Sequence, residues 1–154
     1  MKELIEGDKA PAFSGKTQSG DIISLEKLRG KKVILYFYPK DNTPGCTAEA
    51  CNLNDNYKEL INNGFEIIGV SPDSEVSHQK FIDKYGLKFN LIADVDKSIL
   101  QAYGAYGEKM MYGKVTTGVL RKTYVLDEQG VIVNIFKKVD TKDHANQILK
   151  AFNV

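Results

Sequence analysis

Hydrophobic and polar positions fall into short blocks of two kinds. Val33-Ile34-Leu35-Tyr36-Phe37-Tyr38 is apolar, β-branched and aromatic without alternation, the pattern of a central strand covered on both faces. Residues 65–70 read as a second strand and residues 89–93 as a short one. Residues 123–126 and 131–136, joined by the turn Asp127-Glu128-Gln129-Gly130, predict a hairpin. Helical blocks lie between the strands. Thr43 is a good N-cap and Pro44 suits the first helical position, so a helix is expected from there to about Asn62, with Gly64 as its stop. Residues 75–85 form another, closed by Gly86. Residues 97–103 make a short third, and residues 143–152 the last. The stretch 7–20 is rich in turn residues and predicts an irregular or hairpin opening. Residues 22–25 follow as a short strand, with a helical turn ending near Gly30. Strands alternating with helices, then a hairpin, predict an α/β fold with a mixed sheet. Tyr36, Phe37, Tyr38 and Phe81 are expected in the core. His78 and His144 are expected on the surface, and Met110 and Met111 in a mobile loop.

Composition narrows the function classes. The 154 residues suit a single domain, 1–154, able to bury a core without staples. With 42% hydrophobic and 27% charged residues, a disordered chain is excluded. A net charge of +1 gives no basis for a nucleic-acid or anionic-membrane surface. The longest apolar run, residues 33–38, falls far short of the roughly 20 residues of a membrane span. Acidic residues stand near the N-terminus where a signal peptide needs its apolar segment. A cytoplasmic protein in a reducing compartment is expected. There, the pair Cys46 and Cys51 is more often catalytic or metal-binding than a permanent staple. Zinc would need further ligands, and the two histidines lie far off in sequence. No Gly-rich dinucleotide fingerprint follows a strand, and no metal, haem, flavin or nicotinamide cofactor is expected.

The chemistry concentrates in residues 39–51, between the central strand and the capped helix, where open α/β sheets usually place their active groups. With Thr43 as N-cap, Cys46 occupies the third helical position. Unpaired N–H groups and the helix dipole favour thiolate over thiol there. A Thr43 hydroxyl engaged in capping would be less free for a substrate. Cys46 shares a stripe with Ala50, Leu53, Tyr57, Leu60 and Ile61, which should face the core. Cys51 lies about 140° round the axis, and in an intact helix its Cα stands roughly 8.6 Å from that of Cys46. A disulfide usually needs less than about 7 Å. Both cysteines fit one intact helix only while reduced, and bonding them requires the first turns to unwind.

The segment Pro39-x-x-x-Thr43-x-x-Cys46 resembles the active-site motif of the peroxiredoxins. The longer Thr43-Pro44-Gly45-Cys46-Thr47-x-Glu49-Ala50-Cys51 is similar to the bacterioferritin comigratory protein class, also called the Q type. Gly7-Asp8-Lys9-Ala10-Pro11-Ala12-Phe13 resembles the family's opening. Gly107-Glu108-Lys109, Gly113-Lys114, Gly118 and Arg121 resemble the segment with its catalytic arginine. Tyr124 stands where Phe is more usual. The likeness covers nearly the whole chain. It implies a thioredoxin-like fold, with a mixed central sheet flanked by helices on both faces and extra N-terminal strands.

The resemblance also implies a thiol peroxidase. Cys46 would attack the peroxide and become a sulfenic acid, and Cys51 would resolve it as an intramolecular disulfide. Thioredoxin or a similar dithiol would reduce that bond. Arg121 would stabilise developing charge, Thr43 orient the peroxide, Pro39 shield the thiolate, and Glu49 position an arginine. A monomer or weak dimer is expected, with no nucleic-acid or membrane partner. Without the resemblance, each residue has a plainer reading: Arg121 as a surface cation, Thr43 as a cap, Pro39 as a strand terminator, Glu49 as a surface carboxylate. Two other functions stay open on the residues: a thiol–disulfide oxidoreductase acting on proteins, and a redox-sensing binding module.

Overall fold

The computed structural model describes residues 3–153. The chain opens with a two-stranded antiparallel ribbon, β1 (Ser14–Lys16) and β2 (Ile22–Ser24), and a 3-10 turn at Glu26–Leu28. β3 (Lys32–Phe37) leads into α1 (Pro44–Asp55) and α2 (Tyr57–Asn62), then β4 (Phe65–Ser71), α3 (Glu75–Tyr85), β5 (Asn90–Ala93) and α4 (Ser98–Ala102). β6 (Tyr106–Met111) and β7 (Lys114–Val119) form a separate antiparallel ribbon. β8 (Lys122–Leu126), β9 (Ile132–Phe136) and α5 (His144–Ala151) complete the fold.

The main sheet has the order β5-β4-β3-β8-β9. β3, β4 and β5 run parallel, while β8 and β9 are antiparallel additions. β3 is central, and its residues 33–37 are all buried, as its unbroken apolar run requires. Alternate side chains feed two cores. Ile34, Tyr36 and Tyr38 pack with Ala50, Leu53, Leu60, Phe81 and Ile148, beneath α1, α2, α3 and α5. Val33, Leu35 and Phe37 pack with Phe13, Leu28, Ile99 and Leu100, against the N-terminal segment and α4. Helices thus cover both faces, unequally. The expected core aromatics, Tyr36, Phe37, Tyr38 and Phe81, are all buried. Gly69 of β4 lets Tyr36 lie close: a Cβ there would come within 2.9 Å of the tyrosine ring and hydroxyl.

Three expectations need correction. The helix expected to run unbroken to about Asn62 is interrupted at Asn56, whose backbone (φ −104°, ψ 15°) leaves the helical range. The break shifts the phase of the stripe, so Leu60 is buried while Ile61 is 36% exposed. Met110 and Met111 stand on β6 rather than in a mobile loop, although both are exposed. The β6–β7 turn, Tyr112-Gly113, takes positive φ at both residues (54° and 77°). A two-residue hairpin turn requires this, and it is more often met with Asn-Gly or Asp-Gly. His78 and His144 are fully buried rather than on the surface. Each has at least one partner distant in sequence: Asp41 and Ile92 for His78, Thr123 for His144.

Candidate active site

β3 ends its parallel pairing where the Tyr38 amide bonds the Val70 carbonyl at 3.1 Å. The chain then turns through residues 39–43 to start α1, so the loop sits at the carboxyl end of the parallel strands. Pro39 is half-buried. Thr43 occupies the N-cap position with extended backbone (φ −96°, ψ 157°) and Pro44 follows as the first helical residue. The capping expectation is only half met. The Thr43 carbonyl receives the Thr47 amide at 2.8 Å, but its side chain caps nothing. The hydroxyl instead donates to the Lys40 carbonyl at 2.8 Å. Its proton is therefore committed, and its oxygen keeps lone pairs to accept a bond from a bound molecule.

Cys46 sits in the first turn of α1, 1% exposed. Arg121, between β7 and β8, reaches it from the far side of the sequence. Its Nη2 donates to Cys46 Sγ at 3.4 Å, and its Nη1 donates to Glu49 Oε1 at 2.7 Å. The guanidinium also lies over Gly45, where a Cβ would stand 3.2 Å from Nη2. Glycine there leaves the backbone clear for the arginine. Burial opposes the Arg121 charge, and Cys46 and Glu49 beside it more than offset that, so its cation is held firmly. The side chain stays 24% exposed, which leaves the site open to a small molecule. Cys51 lies half-buried on the same helix, unbridged to Cys46. Burial, and next the Asp55 charge, push its thiol up.

Behind Arg121 lies a second layer. Glu49 is fully buried, and burial pushes its carboxyl up to about 7, against the pull of Arg121. Its Oε2 has no hydrogen-bond partner among the described residues. His144 Nε2 stands 3.8 Å from it, beyond a hydrogen bond. That nitrogen instead pairs with the Thr123 hydroxyl at 2.8 Å, while Nδ1 pairs with Gln147 Oε1 at 2.8 Å. The glutamine oxygen can only accept, so Nδ1 carries the proton and Nε2 accepts from Thr123. The ring is neutral, and burial pushes its pKa down to about 4.

The structure brings Cys46, Glu49 and Arg121 into direct contact, with Thr43 and Pro39 on the loop that starts the same helix. Sequence reasoning missed His144, Thr123, Asp41 and His78. Asp41 and His78 belong to a buried cluster with Asp73 whose potential ligand atoms lie within 4.8 Å of one another. Those atoms are already engaged by protein groups: Tyr38, Ser77, Ser71 and the Asp41 amide. The signal for His144 and His78 is three-dimensional. Only the Thr43-to-Cys51 spacing is local.

Comparison with known proteins agrees with this geometry. Residues 6–135 match the model of the AhpC/TSA family. A Coxiella burnetii relative is 44% identical over 143 residues, covering 93% of this chain and 95% of its own. The Escherichia coli peroxiredoxin Bcp is 38% identical over 149 residues, covering 97% and 96%. Among solved structures, the Xanthomonas campestris bacterioferritin comigratory protein superposes with a TM-score of 0.85 at 36% identity. It covers 92% of this chain and 90% of that one, and was solved in trapped intermediate and ligand complexes bearing on alkyl peroxide reduction. Xylella fastidiosa PrxQ reaches a TM-score of 0.91 at 28% identity, covering 99% and 98%. With a cysteine at a helix start under an arginine, on a thioredoxin-like sheet, the chain belongs to the AhpC/TSA family, among the peroxiredoxins of the Bcp and Q kind.

Proposed function

We propose that the chain, acting as one domain, reduces hydrogen peroxide and organic hydroperoxides through Cys46, with Cys51 as its resolving thiol. The observation that carries this reading is the Arg121 guanidinium, which touches both Cys46 Sγ and Glu49. The Arg121 cation lies 3.4 Å from the sulfur, which stands at the positively polarised start of α1. The thiolate attacks the distal peroxide oxygen. The S–O bond forms as the O–O bond breaks, and the departing oxygen takes a proton, leaving sulfenic acid and water or an alcohol. Negative charge grows on that oxygen, and Arg121 is a fixed donor aimed at it. Thr43 Oγ1 accepts the peroxide O–H, since its own proton goes to Lys40. Pro39 screens the thiolate. Glu49 positions Arg121.

Cys51 then attacks the sulfenic sulfur, water leaves, and an intramolecular disulfide remains. Cys46 and Cys51 share the continuous helix α1, so its first turns must unwind for this step. Thioredoxin or a similar dithiol restores both thiols by exchange. The protein works as a monomer or weak dimer in the cytoplasm.

The test is rapid mixing with one equivalent of hydrogen peroxide, followed by intact mass and peptide mapping. A Cys46–Cys51 cross-link formed in one turnover is expected. Cys46→Ser should abolish turnover, and near-normal turnover would refute the assignment. Cys51→Ser should allow one round of attack and block recycling by thioredoxin. Full recycling in that variant would remove the resolving role of Cys51.

A further inference from the structure

The loop that carries Thr43 is fastened from beneath by buried polar groups that take no part in the chemistry of Cys46, Glu49 and Arg121. Asp41 is buried, and its carboxylate is surrounded by donors. The Tyr38 hydroxyl donates at 2.6 Å, the Ser77 hydroxyl at 2.8 Å, and His78 Nδ1 lies at 2.7 Å. The other ring nitrogen of His78 lies 2.9 Å from the Ile92 carbonyl. The Tyr38 hydroxyl also lies 3.4 Å from Nδ1, so Asp41, His78 and Tyr38 form one buried hydrogen-bonded cluster.

The backbone is tied as well. The Asp41 amide donates to Asp73 Oδ2 at 2.7 Å, which also receives the Ser71 hydroxyl at 2.9 Å. Asn42, next in the chain, takes a left-handed backbone (φ 60°) and accepts the Tyr85 hydroxyl at 3.0 Å. Tyr38 and Asp41 therefore bracket Pro39 and Lys40, and the Lys40 carbonyl sets the direction of the Thr43 hydroxyl. The first turn of α1 is tied differently: its long-range bond is from Arg121 to Cys46 Sγ, the atom that reacts, while Thr43 bonds locally and the Thr47 amide bonds within the helix.

We propose that Asp41 and His78 are positioning residues for peroxide attack, a buried hydrogen-bonded contact that holds residues 39–43 against α3, aims the Thr43 oxygen at the peroxide, and stays closed when α1 unwinds. The inference rests on the reading of Cys46 as the peroxide-attacking thiol. Asp41→Asn tests it, because Asn keeps the shape but has one acceptor oxygen where Asp41 has two, so it holds Tyr38 and loses the bonds of His78 and Ser77 together with the charge. Two reactions of Cys46 are timed in the reduced protein: single-turnover oxidation by hydrogen peroxide, and alkylation by iodoacetamide, which needs no aligned hydroxyl. The peroxide rate should fall at least tenfold while alkylation changes less than threefold. A smaller fall, or one no greater than the change in alkylation, overturns the proposal. A wild type that does not oxidise at Cys46 sinks the peroxidatic reading and this one with it. Should Asp41→Asn not fold, hydrogen exchange on the wild type decides. In the disulfide form the Asp41 amide should stay protected while the Thr47 amide loses protection, and loss of both overturns the proposal.

Discussion

Asp41 and His78 meet at 2.7 Å, and Glu49 and His144 stand 3.8 Å apart, each pair buried beside the turn that carries Cys46. The first is within hydrogen-bond distance and the second is not. Burial pushes the Asp41 carboxyl up, but bonds from His78, Tyr38 and Ser77 outweigh it, and the group ends below the usual carboxylate range. Glu49 receives Arg121 on one oxygen and has nothing on the other among the described residues. Its carboxyl is pushed up to about 7. The His144 Nδ1–H donates to Gln147 while Nε2 accepts from Thr123, and burial keeps the ring neutral down to about 4. A buried carboxylate keeps its charge when several donors aim at it, and nearness to an imidazole alone does not suffice.

The sharpest way to break this comparison is to remove each imidazole in turn. His78→Leu removes a hydrogen bond to a buried carboxylate that keeps only Tyr38 and Ser77, and leaves the Ile92 carbonyl unpaired, and should cost about 2–4 kcal/mol. His144→Leu strands only the hydroxyl and amide of Thr123 and Gln147, at about 1–3 kcal/mol. Urea unfolding midpoints measure both, and equal losses would show that the two contacts are alike. Next in size, Arg121→Met should slow single-turnover oxidation of Cys46 by about 100- to 1,000-fold, the usual effect of losing a donor aimed at developing charge. Stopped-flow mixing reads this directly, and an unchanged rate would leave the arginine structural.

The pH dependence of stability sharpens the contrast further. His144 falls from 6.5 to about 4 on folding, so its contribution is full above 6.5 and is lost as pH drops toward 4. Glu49 rises from 4.5 to about 7, so its contribution is full below 4.5 and is lost as pH climbs toward 7. Between those limits the two slopes oppose each other, each at most about 1.4 kcal/mol per pH unit. Glu49→Gln should uncover a stability that rises with pH across this window. His144→Asn should uncover one that falls. Denaturation curves collected at half-unit steps would settle it, and parallel profiles in the two variants would contradict the assignment. Smallest of all, Thr123→Val removes the donor to His144 and should cost about 1 kcal/mol.

The legible parts of the molecule were those whose causes are close together in the chain. β3 shows itself because every one of its residues 33–37 is buried. The start of α1 shows itself because Thr43, Pro44 and Cys46 stand in one turn. Glu49, three residues later, was legible only through likeness to a family: by itself it reads as a surface carboxylate, whereas it is fully buried. Arg121 was legible only through likeness to a family, since nothing local distinguishes it from a surface cation. The two histidines were misread for the same reason. A lone His has no periodic signature, and Asp41, Ile92 and Thr123 reach theirs only after the sheet has formed. The β6–β7 ribbon escaped notice because its turn is Tyr-Gly and its exposed Met110, Met111 and Val115 obscure any alternation.

The interruption at Asn56 has a mechanical meaning. Opening that begins at Cys46 runs down α1 and meets a joint where the backbone has already left the helical path. A jointed rod can fray at one end without levering the other, so on the proposed Cys46–Cys51 bonding Leu60, buried beyond the joint, is expected to keep its place in the core. We expect the excursion to be a local motion on the microsecond-to-millisecond scale rather than a partial melting of the domain. On that reading the break at Asn56 acts as a fuse, limiting how much of the protein each round of the proposed oxidation would disturb.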